Sequence, residues 1–367
     1  MTQTNEFMPQ WTSPPGNTIA DLMSARHLSR GDLARAIDQD TSFVDNLLDG
    51  REAMTLVLAR QLQESVGGSA TFWMSRDRQY RHDVARLRES GLSWLMELPL
   101  VDMERFGWIP ADLPEGFEVE SMLRYFAVPS VPVWRARYAA VLQEAAFRTS
   151  PAFQSNPGAV AAWLRQGERI AATVDCDRWD ADAFKNTLRE MRSLTRVRNP
   201  ERFIPKMQAA AARCGVAVVV LQAPSRCRAS GAVRWLSDDK ALLLLSARHL
   251  SDEHFWFSFF HECGHLLLHR ETRVFLDEES SDVDNDVEDE ANQFATETLI
   301  PPNYLEALTR VRLETLAVIR LAGEIGVAPG IVVGQLQRMN RLPKSHLNRL
   351  KRGYAWEGGA LVSRGTA

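Results

Sequence analysis

The chain has 367 residues and a mass of 41.4 kDa, more than one hydrophobic core usually spans, so two or three domains are expected. Apolar residues make up 45% and charged residues 25%, a balance that excludes disordered, fibrous and membrane-embedded classes. The net charge of −4 is uneven: residues 277–290 (DEESSDVDNDVEDE) hold nine acids and no base, which leaves +5 on everything else. The first half of that run is expected as a solvated loop and the second as the start of a helix. No apolar run reaches bilayer length, and the first twenty residues lack a basic-then-apolar signal. Cys176, Cys214, Cys227 and Cys263 show no paired spacing, so neither disulfides nor a Cys-type zinc site is expected, and the location expected is cytoplasmic.

Residues 1–16 (ending PQWTSPPG) read as a loose arm. Residues 17–90 hold short helical patterns without a strand signal. Ile19, Leu22 and Met23 share a face of the first helix, Ser29 precedes a second, and Thr41 opens a third that Asp49 and Gly50 close. Two helices joined by a few residues, the second opening Thr-Ser, form a helix-turn-helix pattern. Arg30, Arg35 and Arg51 are the candidate phosphate contacts, and Thr41, Ser42 and Asn46 the candidate base contacts, although each is also an ordinary helix-start or surface residue. Residues 1–90 carry ten Arg, no Lys and twelve acids, with Asp38, Asp40, Asp45 and Asp49 at or beside the second helix of the pair. Phosphate binding needs cationic side chains, so DNA binding by this module is expected to be weak, and protein is the alternative partner.

Residues 91–132, interrupted by five prolines, read as a linker or irregular subdomain. Helical periodicity returns over 133–200, with Trp134, Tyr138 and Leu142 in one stripe and Phe184, Leu188 and Met191 in another. Residues 201–345 are expected as a catalytic domain and 346–367 as a tail. Within the former, 216–221, 231–236 and 241–246 are β-favouring runs, the last two joined by a turn at 237–240, which predicts a small, mainly antiparallel sheet. The 230–235 run reads either as a sheet edge that could pair with an extended peptide or as ordinary core sheet. Residues 321–336 imitate a second helix-turn-helix, but with Pro329, Gly330 and few bases they fit a packing pair better. The fold class expected is α+β, mostly α.

The strongest signal is His261-Glu262-Cys263-Gly264-His265 inside the apolar run 255–268. Residues four apart share a helical face, so His261 and His265 can present imidazole nitrogens to one ion, with the Glu262 carboxylate beside them. Zinc favours such nitrogen donors. Cys263 is rotated off that face and reads as core. His269 lies one turn beyond His265, too far round a straight helix to be a third ligand, and is expected to support a ligand or face substrate. Downstream, Glu288, Ala291, Asn292, Ala295 and Leu299 share one face. Its small alanines permit close packing on the first helix, which places Glu288 as third ligand and Asn292 as a partner of a ligand histidine. Glu290 is the alternative third ligand.

HECGHLLLH followed by EDEANQFATETLIP resembles the ImmA/IrrE family of zinc metallopeptidases, over about residues 184–342. The resemblance implies a minimal thermolysin-like (gluzincin) domain, Zn²⁺ held by His261, His265 and Glu288, and Glu262 as general base. It also implies a helix-turn-helix repressor as the protein substrate. Pro15-Gly16, Leu33-Ala34, Asn46 to Gly50 and Phe72-Trp73 resemble the HigA-type branch of the Xre helix-turn-helix family over about residues 14–88. The function expected is therefore a zinc-dependent regulatory endopeptidase. In it Glu262 passes a water proton to the leaving amine, and His269 or another group steadies the oxyanion. The alternative is a DNA-binding regulator or antitoxin whose metal domain does not cut. Expected partners are the protein substrate and, through the N-terminal module, DNA; a homodimer is compatible, and no membrane partner is expected.

Overall fold

The computed structural model describes residues 12–113, 115–139, 155–270, 274–278 and 286–364, the segment 274–278 by its backbone. They divide into two compact units, one within Met1–Leu100 and Ile109–Ala139, the other within Val101–Trp108 and Ala140–Ala367.

The first unit is helical. Helix α1 (Pro15–Ala25) opens on a first-turn proline, whereas α2 (Arg30–Ala36), α3 (Thr41–Leu48) and α4 (Leu56–Ser65) begin where the sequence supplies side-chain acceptors for their first N–H groups. Ser29 and Asp32 form a reciprocal capping box at α2, Asp40 accepts from Phe43 N at α3, and Thr55 accepts from Leu58 N at α4. Gly50 closes the α3 turn at φ +75°, the left-handed conformation its lack of a Cβ allows. Ile19, Leu33, Val44, Leu47, Leu58, Leu62 and Trp73 fill the core between these helices. A Cβ on Gly16 would overlap the Leu48 carbonyl, so the start of α1 lies directly on the end of α3.

Three expected boundaries differ in this unit. Pro15 and Gly16 already belong to α1, so the arm ends earlier than residue 16; residues 1–11 lie outside the described set. Helix α5 (Ala70–Leu95) runs straight through the boundary at residue 90, because Trp73, Tyr80, Val84, Leu87 and Trp94 continue one buried stripe. The stretch expected as a linker is mostly helical: α7 (Glu118–Phe126) and the start of α8 (Val131–Arg137) belong to this unit, and α6 (Leu100–Arg105) falls almost wholly in the second. Its prolines flank or open helices rather than break them, Pro132 standing in the first turn of α8. Trp94, Phe126, Trp134 and Tyr138 form an aromatic cluster with ring separations of 5.4–6.0 Å. Leu142, expected on the same stripe, lies outside the described residues.

The second unit is built on a four-stranded sheet of β1 (Val216–Val220), β2 (Ala229–Ser237), β3 (Lys240–Leu245) and β4 (Val274–Glu278), in the order β1-β3-β2-β4. The β2–β3 and β2–β4 pairs are antiparallel and β1–β3 is parallel. Side chains alternate across the sheet. Leu244 meets Gly167 of α9 (Pro157–Thr173) on one face, while Val233, Leu243 and Leu245 join the core with the central helix α12 (Asp252–Leu268) on the other. Helices α10 (Ala181–Met191) and α11 (Pro200–Ala212) share that core through Phe184, Leu188, Phe203 and Met207, so the boundary expected at residue 200 cuts one core in two. Each such side chain stabilises the fold by about 1.5–3 kcal/mol when fully buried.

Three further expectations change. β2 is paired on both sides, so the 230–235 run is an inner strand and not an exposed edge. Asp277 and Glu278, expected in a loop, pair with Gly231 and Ala229 as the end of β4; charges suit an outer strand because they discourage pairing with other chains. Residues 279–285 of the acidic run lie outside the described set. The tail forms a hairpin of β5 (Tyr354–Glu357) and β6 (Ala360–Ser363), which buries Tyr354 in the main core.

Helix α13 (Asp286–Leu299) packs on α12 by its Ala291, Ala295 and Leu299 face. A Cβ on Gly264 would stand 3.1 Å from Ala291 Cα, so the two backbones approach closely there. After α14 (Leu305–Arg310), α15 (Thr315–Ile325) and α16 (Pro329–Arg338) join at the left-handed Gly326 and bury Val318, Leu321, Ile331 and Val332 in the same core, as a packing pair does. Among the described residues no single helix is long and apolar enough to cross a membrane.

Candidate metal centre

α12 holds His261 and His265 one turn apart on its buried side, and α13 brings Glu288 to them across the Gly264–Ala291 contact. The two Nε2 atoms are 2.9 Å apart. Glu288 Oε2 lies 3.2 Å from His261 Nε2, and Oε1 lies 3.4 Å from His265 Nε2. The three ligand atoms thus fall within 4.8 Å of one another, the histidines buried and Glu288 partly so.

The outer partners decide which nitrogens carry protons. His261 Nδ1 is 3.2 Å from Asn292 Oδ1, which only accepts, so Nδ1–H donates and Nε2 keeps a bare lone pair. His269 Nε2 is 3.0 Å from Glu290 Oε2 and donates to that carboxylate, which leaves His269 Nδ1 an acceptor. His265 Nδ1, 3.2 Å away, therefore donates to His269, and its Nε2 is bare as well. Two lone pairs and a carboxylate facing one another repel unless a cation lies between them. The ionisation states agree. Burial lowers the His265 pKa and favours its neutral ring. Burial acts to raise Glu288, but the hydrogen bonds and charge that the imidazoles supply when protonated outweigh it and hold the carboxyl at about 2; with the rings neutral, a cation between the bare nitrogens would take over that role. Two neutral imidazoles and one ionised carboxylate are the donor set that zinc takes, with room for a fourth ligand.

Glu262 is fully buried between this pair and β2, where Gly231 lies directly against its carboxylate. Cys263 is buried off the ligand face, its thiol pushed well up by burial. The outer shell differs from expectation in two respects. Glu290, the alternative third ligand, instead ends the chain of hydrogen bonds through His269. Both His269 nitrogens are engaged, so neither is left to face an oxyanion. Gly231 was missed as a functional position, although an isolated glycine inside a strand run marks a close approach by another group.

The candidate nucleic-acid contacts sit together on α2, α3 and the turn after α3. Thr41 and Ser42 are exposed and Asn46 is half-buried. The three cations are already paired: Arg30 with Asp45 at 3.0 Å, Arg35 with Asp32 at 2.5 Å and Arg51 with Asp49 at 3.4 Å.

No curated protein matches the chain. Residues 216–336 match the family model of the IrrE N-terminal-like domain (Peptidase_M78), a segment that runs from β1 into α16 and contains His261, Glu262, His265 and Glu288. That match supports a peptidase of the metallopeptidase type, and in this part of its length the chain is similar to the ImmA/IrrE family.

Proposed function

We propose that the chain is a zinc-dependent endopeptidase of the gluzincin type that cleaves one protein, a helix-turn-helix transcriptional repressor, with its N-terminal helices serving recognition. The convergence of two bare imidazole nitrogens and the ionised Glu288 carboxylate beside a buried Glu262 carries this reading. His261, His265 and Glu288 would hold a zinc ion, which would supply Lewis acidity toward a water and a peptide carbonyl. Glu262 takes the proton of the attacking water and hands it to the leaving amine. Asn292 and the His269–Glu290 pair orient the two histidines and hold their tautomers. A mere metal anchor has no use for an acid at Glu262, and the pairing of Arg30, Arg35 and Arg51 with carboxylates counts against DNA binding as the primary role.

The test is substrate trapping. Glu262→Gln chain mixed with a soluble extract of its own cell is expected to retain a protein that wild type cuts at one position, read by amino-terminal labelling and mass spectrometry. Cleavage should stop with chelator and return with zinc. A wild-type chain that holds zinc and cuts nothing in the extract overturns the endopeptidase reading.

A further inference from the structure

The first unit contains a half-open cleft of about 370 Å³ between α1, the end of α3, and α7 with the loop after it. That size lies within the range of small-molecule sites. One wall is apolar, formed by Pro14, Leu48, Leu123, Val128 and Pro129. The other is made of Thr12, Asn17, Asp49, Glu120 and Arg124.

The polar wall sets two carboxylates against one guanidinium, and that guanidinium is largely engaged by them. Arg124 spends its guanidinium on Glu120 Oε1 at 2.7 Å, on the Asp49 carbonyl at 3.1 Å and beside Asp49 Oδ1 at 3.4 Å. Tyr80 donates to the same Glu120 oxygen, Oε1, at 3.2 Å. Both bonds to Glu120, whose side chain is only 11% exposed and lines the cleft, therefore fall on Oε1, and neither uses Oε2. Thr12 Oγ1 is buried with no hydrogen-bond partner among the described residues. Asn17 turns its amide nitrogen to Ser13 Oγ, which leaves its carbonyl oxygen as an acceptor. A buried acceptor without a donor costs free energy that a donor-bearing ligand restores. Two carboxylates against one guanidinium also give the lining a formal charge of −1.

We propose that this cleft binds a primary amine attached to a branched aliphatic body, with the ammonium on Glu120 Oε2 and Thr12 Oγ1 and the body against Leu123 and Val128. Either a free small amine or the amino terminus of a polypeptide beginning with leucine offers that chemistry. Glu120 is the anchoring residue and Leu123 the residue that shapes the apolar wall.

Isothermal titration calorimetry on the full chain tests it, with 3-methylbutylamine, leucinamide, a hexapeptide with a free amino-terminal leucine, N-acetyl-leucinamide and 4-methylpentanoate as probes. Saturable binding of the amines is expected, about tenfold or more weaker in Glu120→Gln and in Leu123→Trp, with no heat from the acetylated or acidic probes. The hexapeptide binding more tightly than 3-methylbutylamine would make a polypeptide terminus the natural source; the reverse would make it a free amine. Glu120 also supports Tyr80 and Arg124, so Leu123→Trp, which fills the cleft without touching that network, keeps the test sound if Glu120→Gln unfolds. The proposal is overturned if no amine binds the folded chain, if 4-methylpentanoate binds as well as 3-methylbutylamine, or if folded Leu123→Trp binds as wild type does.

Discussion

Gly231 of β2 and Glu262 of α12 occupy adjoining space: a methyl group on Gly231 would overlap the Glu262 carboxylate. The strand thereby bounds the space that the buried acid occupies. Gly231→Ala is expected to displace Glu262 and lower kcat by about 10²–10⁴-fold, the range general acid–base groups supply, while zinc content stays at the wild-type level. Normal turnover in a folded Gly231→Ala chain would show that the acid is positioned by something else.

The outer hydrogen bonds should tune metal affinity rather than abolish it. Asn292→Ala and His269→Ala each remove the group that fixes a ligand tautomer. Each is expected to weaken zinc binding by about 10–100-fold in a competition titration with a chromogenic chelator. Glu290→Gln, which still accepts from His269, should change it less. Unaltered affinity in all three would mean the ligands are oriented by packing alone.

Gly264 permits the α12–α13 approach that delivers Glu288. Gly264→Val must push Ala291 away, at a cost of about 1–3 kcal/mol from overpacking. Lower zinc affinity together with a lower urea midpoint is expected, and a stable variant with intact affinity would contradict this placement.

Asp252, in the first turn of α12, is fully buried, and burial raises its carboxyl to about 6 despite the backbone N–H groups of Arg352 and Glu253 on Oδ1. The folded chain holds that proton more tightly than the unfolded chain, where an aspartate titrates near about 3.9. Its contribution is therefore present below about pH 4 and lost as pH rises through about 6, amounting to about 3 kcal/mol. Asp252→Asn removes the dependence. Urea unfolding at about pH 4 and about pH 7 should show the variant gaining on wild type at the higher pH by about that amount. A difference that does not change with pH refutes the assignment.

The ion pairs on α2 and α3 bear on nucleic acid. Replacing Asp32, Asp45 and Asp49 by Asn frees Arg35, Arg30 and Arg51. The triple variant is expected to bind duplex DNA more tightly than wild type, with a steeper loss on adding salt, measured by fluorescence anisotropy. Tight wild-type binding abolished by Arg30→Ala, Arg35→Ala and Arg51→Ala together would reverse this view.

What could be read from the residues followed from local periodicity. The i, i+4 spacing of His261 and His265 and the Glu288–Ala291–Asn292–Ala295 face are helical arithmetic, and β1 and β3 announce themselves as valine and leucine runs. What escaped depends on partners distant in the chain. β4 ends in Asp277 and Glu278, and its place rests on backbone pairing to β2. Asp252 and Glu253 look like a solvated helix start; they are buried because Arg352 N and Lys351 Nζ, from a hundred residues later, bond to them at 3.0 and 2.6 Å. His269 was placed on a continuing helix, whereas α12 ends at Leu268 and the backbone turns away at His269 (φ −125°, ψ 41°). That turn is what lets its ring join His265 to Glu290.

Metal content, by elemental analysis of freshly purified chain, tests the central claim most directly. About one zinc per chain is expected in wild type, lost in His265→Ala and Glu288→Gln and retained in Glu290→Gln. Protein purified without chelator that carries no metal, or that keeps its zinc in Glu288→Gln and loses it in Glu290→Gln, would contradict the site described here.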